Sequence, residues 1–126
     1  NDSVMGYFRT LEHGDCFHFV QLHDMKIKPL ESTISDGFGD GHPTVNGNNL
    51  LFDSYPDRSG NQHLYLLDLA GGELTEAGAF FQPMKFYGAS RCDLHPRFSA
   101  NGKTVFFDST HSGRRQLYYF NLEGEI

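Results

Sequence analysis

Two phrases of the form Asp-x-His-Pro hold the residues best equipped for chemistry: Asp40-Gly41-His42-Pro43 and Asp93-Leu94-His95-Pro96. An imidazole offers a borderline nitrogen donor and a carboxylate a hard oxygen. Two histidines brought together with Asp40 and Asp93 would therefore suit a divalent ion such as Mn²⁺ or Zn²⁺. Arg91 and Arg97 flank the second phrase, and a guanidinium can grip a ligand carboxylate through two parallel hydrogen bonds. Tyr55, Phe86 and Tyr87 lie in loops between apolar runs, where aromatic rings stack on sugar faces. With 12 phenylalanines in 126 residues, however, packing must claim most of the aromatic surface. His111 sits in a polar turn from which a side chain can reach a ligand at the rim. Each of these has a plainer reading: a ring bonded to backbone, an arginine paired with an aspartate, a solvated turn histidine. His13, His18 and His23 recur at spacings of five, which match neither a helix face nor a strand face, so no metal role is assigned to them.

The elements that must position these residues are written twice. His42-Pro43 and His95-Pro96 are 53 residues apart, and so are Leu64-Tyr65 and Leu117-Tyr118. Phe52-Asp53-Ser54 and Phe107-Asp108-Ser109 are 55 apart, so the first copy is two residues shorter in its first turn and two longer in its second. Fixed-period self-similarity of this kind marks a repeat architecture. Each copy runs from His-Pro to an Asn-Gly turn, Asn46-Gly47 or Asn101-Gly102, for which a hairpin with φ > 0 at both turn positions is expected. Then come "NLLFDS" or "KTVFFDS", a polar turn, and "HLYLLDL" or "QLYYFNL". These runs are apolar on both faces, so strands covered on both sides are expected. After "AGGE" the first copy continues into a fourth strand near Leu74 to Phe80; the second has no counterpart. No window shows a capped helical stripe, and 14 Gly with 5 Pro act as turn punctuation.

Four antiparallel strands per repeat of about 50 residues is the pattern of a β-propeller blade. The expected fold is all-β, a partial propeller of about two to three four-stranded antiparallel blades. Residues 1–36 form a degenerate or partial blade with strands around Val4 to Phe8 and Cys16 to Leu22, 37–87 a blade, and 88–126 a blade lacking its outer strand. Propellers close with about four or more blades. The expectation is thus a C-terminal part of a longer protein or one of several chains completing a ring, with a small β-sandwich as the alternative. At equivalent places in neighbouring blades, His42 and His95 would lean toward one shared ion or ligand.

Charge and composition exclude several partners. The net charge of −6, from 16 acidic and 10 basic side chains scattered singly, gives no basic stripe for nucleic acid. No apolar run approaches the roughly 20 residues of a membrane helix. Cys16 and Cys92 have no Cys-x-x-Cys partners, so two buried free thiols are expected. The chain opens on Asn1 without a basic-then-apolar leader, as a processed or cut product does. P-loop, dinucleotide, Gly-x-Ser-x-Gly and His-Glu-x-x-His signatures are all missing from the sequence.

The stretch "HPRFSANGKTVFFDSTHSGRRQLYYFNL" resembles the TolB-like propeller repeat, with Ser99-Ala100-Asn101-Gly102-Lys103 standing where that family usually has Ser-Pro-Asp-Gly-Lys. The longer phrases "GDGHPTV…FDSYPD" and "RCDLHPRFS…FDSTHSGRRQLYYFNL" are similar to the last blades of bacterial propellers related to oligogalacturonate lyases. The likeness spans about residues 37–122. It implies a bacterial protein, cytoplasmic or periplasmic, that acts on or binds acidic (uronate) oligosaccharides with a divalent metal, Mn²⁺ or similar. His42, His95, Asp40 and Asp93 would then hold the metal, Arg91 and His111 would serve catalysis, and Arg97, Tyr55 and Tyr87 would bind substrate. Metal-assisted β-elimination would need the full ring. The remaining blades or a second copy would cover the exposed blade faces, and a noncatalytic segment that binds glycan or protein is the alternative.

Overall fold

Short runs of β-branched and aromatic residues, punctuated by Gly, Asn and Asp, favour strands joined by tight turns. The computed structural model, which describes residues 2–30 and 41–122, is accordingly all-β, with three small antiparallel sheets. Two single 3-10 turns, Met84–Phe86 and Gly88–Ser90, lie between the strands Leu74–Phe81 and Arg97–Phe98. The chain divides into two compact units, Asn1–Gly41 and His42–Ile126.

The first unit holds a three-stranded meander of β1 (Ser3–Thr10), β2 (Gly14–Gln21) and β3 (Ile27–Pro29). The first two pair from Ser3 opposite Gln21 to Thr10 opposite Gly14, which places both expected strands. Cys16, Phe17 and His18 of β2 are buried. Phe8 stacks on His18 with ring centroids 4.2 Å apart, and His18 Nε2 lies 3.5 Å from the Cys16 sulfur.

The second unit carries both copies of the repeat. The first copy builds a four-stranded sheet of β4 (Thr44–Asn46), β5 (Asn49–Asp53), β6 (Asn61–Asp68) and β7 (Leu74–Phe81), in chain order. The second builds β8 (Arg97–Phe98), β9 (Thr104–Ser109) and β10 (Gln116–Asn121), also in sequence. The equivalence extends to register, since Asp53 faces Leu64 as Asp108 faces Leu117. The difference in length falls in the turns, as the repeat requires. Asn46 pairs directly with Asn49 around a two-residue loop. The second copy instead closes a wider loop in which the Gly102 N–H donates to the Ser99 carbonyl at 2.9 Å.

Two expectations need correction. Only the glycines of the two Asn-Gly turns have positive φ, Gly47 at 58° and Gly102 at 74°. In the first copy the loop is Gly47-Asn48, so the positive residue is the first central one, the pattern of a type II′ turn rather than one with both positions left-handed. The second copy is a type-I-like turn ending on glycine. Coverage also differs between strands. In β5, Leu50, Leu51, Phe52 and Asp53 are all buried, as expected for a strand covered on both faces. In β10 the alternate residues Leu117 and Tyr119 are exposed, because only one face of that strand meets the core.

That core lies between the two sheets. Leu51, Leu64, Leu94, Val105 and Phe107 form it, with Phe80, Phe98, Tyr118 and Phe120 packed around them. Burying each of the leucines contributes about 1.5–3 kcal/mol. Leu94 comes from the connector, residues 82–96, rather than from a strand, and its full burial anchors that segment. Asn46 of the first turn presses its side chain against Gly102 of the second, where an added Cβ would lie 2.3 Å from Asn46 Oδ1. The repeated turns therefore touch one another.

Candidate metal centre

The candidate site forms where the two copies meet, and its central residue is Asp53 at the end of β5. A carboxylate in an otherwise apolar strand is costly to bury unless its oxygens accept hydrogen bonds. Asp53 is 2% exposed. Its Oδ1 accepts the backbone N–H of His42 at 2.6 Å, and its Oδ2 accepts the backbone N–H of His95 at 3.1 Å. One side chain thus ties both His-Pro phrases in place, one from each copy. The His42 ring adds a third bond, with Nδ1 3.1 Å from both carboxylate oxygens. As the carboxylate only accepts, Nδ1 carries the hydrogen, and in the neutral imidazole it is Nε2 that has the lone pair for a ligand. This carboxylate-to-histidine arrangement orients and fixes the tautomer of metal-binding imidazoles generally.

His95 is delivered by a strained backbone. Its φ of 43° is left-handed, a region that costs a non-glycine residue on the order of 1–3 kcal/mol. A following proline further disfavours helical values. Three bonds hold the conformation: the N–H to Asp53, the carbonyl accepting Arg97 Nη1 at 2.7 Å, and the preceding Leu94 carbonyl accepting the Asp108 N–H at 2.8 Å. With Leu94 plugged into the core, its neighbours Asp93 and His95 are left on the site side. Two buried glutamines clamp the same segment. Gln62 Nε2 donates to the Cys92 carbonyl at 2.9 Å, and Gln82 Oε1 accepts the Cys92 N–H at 2.8 Å.

These constraints bring ligand atoms of His42, Asp93 and His95 within 4.8 Å of one another. The two imidazole centroids are 3.9 Å apart. Two nitrogens and one carboxylate oxygen form a donor set suited to Mn²⁺, Zn²⁺ and similar divalent ions. Asp93 Oδ1 is buried with no aligned hydrogen-bond donor, so it retains a lone pair to offer. The residues present fit a cation. Asp40 lies outside the described residues.

Beside the cluster stands Arg91, whose Nε lies 2.9 Å from Asp93 Oδ1 and whose Nη2 donates to Oδ2 at 3.2 Å. Its guanidinium carbon sits 4.7 Å above the Tyr55 ring, and Tyr55 in turn meets His42 edge-on with centroids 6.1 Å apart. Comparison of the chain with family models and with curated proteins gives no match. Arg91, Tyr55 and Tyr87 also line a cavity of about 600 Å³, within the usual range for small-ligand sites.

The side chains of the remaining site candidates are held by other partners, although Arg97 also donates to the His95 carbonyl. Arg97 pairs with Asp108 of its own copy at 3.1 Å. His111 Nδ1 is bonded to Ser109 Oγ at 2.7 Å, and its ring packs against Phe80 and Tyr118 at the edge of the core. Cys16 and Cys92 are both buried and neither is in a disulfide, and burial raises the Cys92 thiol above its ordinary range.

Sequence reasoning missed Asp53, Gln62 and Gln82. For Asp53 a signal existed: the same aspartate ends the same apolar run in both copies. Nothing in the sequence marks the glutamines, whose role comes from facing a connector that is distant along the chain.

Proposed function

We propose that His42, Asp93 and His95 hold a divalent cation, Mn²⁺ or similar, and that the chain is the C-terminal portion of a propeller protein resembling oligogalacturonate lyases. In this reading it binds or acts on acidic (uronate) oligosaccharides. The observation that carries the proposal is the convergence of the three ligand atoms within 4.8 Å, with Asp53 behind His42 as orienting carboxylate. A bound divalent cation supplies Lewis acidity, neutralising a uronate carboxylate and acidifying the adjacent C5 proton for β-elimination. The chain's own residues do the rest of the positioning. Arg91, a guanidinium held against a carboxylate, is suited to seating a uronate carboxylate rather than to removing a proton. Tyr55 and Tyr87 offer ring faces to the sugar. Completion of the elimination site belongs to the full ring, which supplies the proton-abstracting base.

The alternative is a noncatalytic segment that binds glycan or protein, favoured by the exposure of Met84 and Tyr87 on the connector. The exposed Leu117 and Tyr119 of β10 suit contact with further blades or a second copy. Metal content decides between a metal centre and a structural His pair. After equilibration with Mn²⁺ and dialysis, the wild-type chain is expected to retain one ion, and His42→Ala and His95→Ala each to lose it. Unchanged metal content in both variants overturns the proposal.

A further inference from the structure

The same carboxylate that completes the cation site is occupied by Arg91. Asp93 offers a carboxylate oxygen within 4.8 Å of the His42 and His95 ligand atoms and also receives the Arg91 guanidinium. That guanidinium is half exposed and lies over Tyr55 at the edge of the cavity lined by Tyr55, Arg58, Phe81, Tyr87 and Arg91. A planar cation on a flexible stem and a divalent ion compete for the same negative charge. A divalent ion beside Asp93 also repels the guanidinium. We infer that Arg91 is a switch between the two: it neutralises Asp93 when no metal ion is bound, and a bound ion displaces it toward the cavity, where it seats the carboxylate of an acidic ligand. This rests on the metal reading above and adds to it a direction of coupling.

Two consequences follow from linkage. Metal and carboxylated ligand bind with positive cooperativity, each tightening the other by the same factor. Removing the arginine strengthens metal binding on its own while weakening the coupling to what the direct attraction of ion and ligand carboxylate supplies, the opposite of what loss of a structural residue does.

The test is calorimetric titration of the chain with Mn²⁺, with and without saturating galacturonate dimer, for wild type, Arg91→Ala and Arg91→Lys. Near-ultraviolet circular dichroism checks that each variant is folded. Arg91→Ala is expected to bind Mn²⁺ about fivefold more tightly than wild type, the factor equivalent to the ~1 kcal/mol of a partly exposed ion pair. The dimer is expected to tighten Mn²⁺ binding more in wild type than in Arg91→Ala, with Arg91→Lys between. Equal or weaker Mn²⁺ binding by folded Arg91→Ala, or coupling that the substitution leaves undiminished, overturns the switch while leaving the metal site standing. Absence of Mn²⁺ binding by wild type removes the metal reading, and the switch falls with it.

Discussion

Asp53 and Asp108 occupy the same place in the two copies, yet replacing them should have very different effects. Asp53→Ala removes the acceptor of two backbone N–H groups, from His42 and His95, and of the His42 ring. Hydrogen bonds to a charged group contribute about 1.5–3 kcal/mol each, and a buried donor left without a partner costs about 1–3 kcal/mol. The bonds are not additive, and the His42 ring, a third exposed, can turn to water. The two backbone donors then set the expected loss at about 3–5 kcal/mol, a large share of the ~5–15 kcal/mol that holds a domain together. Asp108→Ala loses one pair with Arg97, at side-chain exposures of 45% and 32%; such a surface pair contributes about 0–1 kcal/mol. Asp53→Asn, which keeps one acceptor oxygen, should fall between the two. Urea unfolding read by tyrosine fluorescence measures all three variants. A second readout follows from the tautomer argument: Asp53→Asn should weaken Mn²⁺ binding about 10- to 100-fold, as loss of an orienting carboxylate does elsewhere. Equal destabilisation by Asp53→Ala and Asp108→Ala would refute the claim that one carboxylate joins the copies.

Two other expectations can be checked with the same instruments. His63 lies between Asp57, 2.8 Å from Nε2, and Glu76; bonding to Asp57 raises the imidazole above its ordinary value and holds Asp57 below its own. The raised group stabilises fully below the unfolded imidazole value of about 6.5 and ceases to as pH rises through the higher folded value, while the Asp57 contribution fades as pH falls through its depressed value. The stability gap between wild type and His63→Gln should therefore be widest between those two limits and close on either side; a gap independent of pH would show that the pair carries no charge linkage. At the repeated turns, both Gly47→Ala and Gly102→Ala should cost about 1–2 kcal/mol for left-handed backbone. Gly102→Ala should cost more, because its Cβ meets Asn46 whereas that of Gly47 meets nothing within 4 Å, and Asn46→Ala should remove the excess.

What could be read from the sequence depended on whether a residue's partner was local. Strand positions followed from apolar runs and turn residues, and the structure gives the two copies one register, Asp53 opposite Leu64 and Asp108 opposite Leu117, although the aspartates are 55 residues apart and the leucines 53. His42, His95 and Asp93 were singled out because a repeated Asp-x-His-Pro phrase implies equivalent positions. The contribution of Asp53 was not evident, because its role is to accept from backbone 11 and 42 residues away, and backbone donors leave no trace in residue type. The exposure of β10 was missed for a similar reason: its composition is that of a doubly covered strand, and only its neighbours decide which face is covered. Arg91 was read as a ligand for carboxylates, and its ion pair with Asp93 shows that the first carboxylate within reach is two residues along its own chain.

Asp53 lies in one copy and bonds the histidine segments of two, so the site belongs to a junction and not to a repeat. One copy alone can seat its own histidine on its own aspartate, as His42 sits on Asp53, but supplies a single imidazole. Tandem copying of such a segment would pair two histidines at each new boundary, leaving later substitutions at positions such as Arg91, where the other copy has Phe38, to tune each pocket separately.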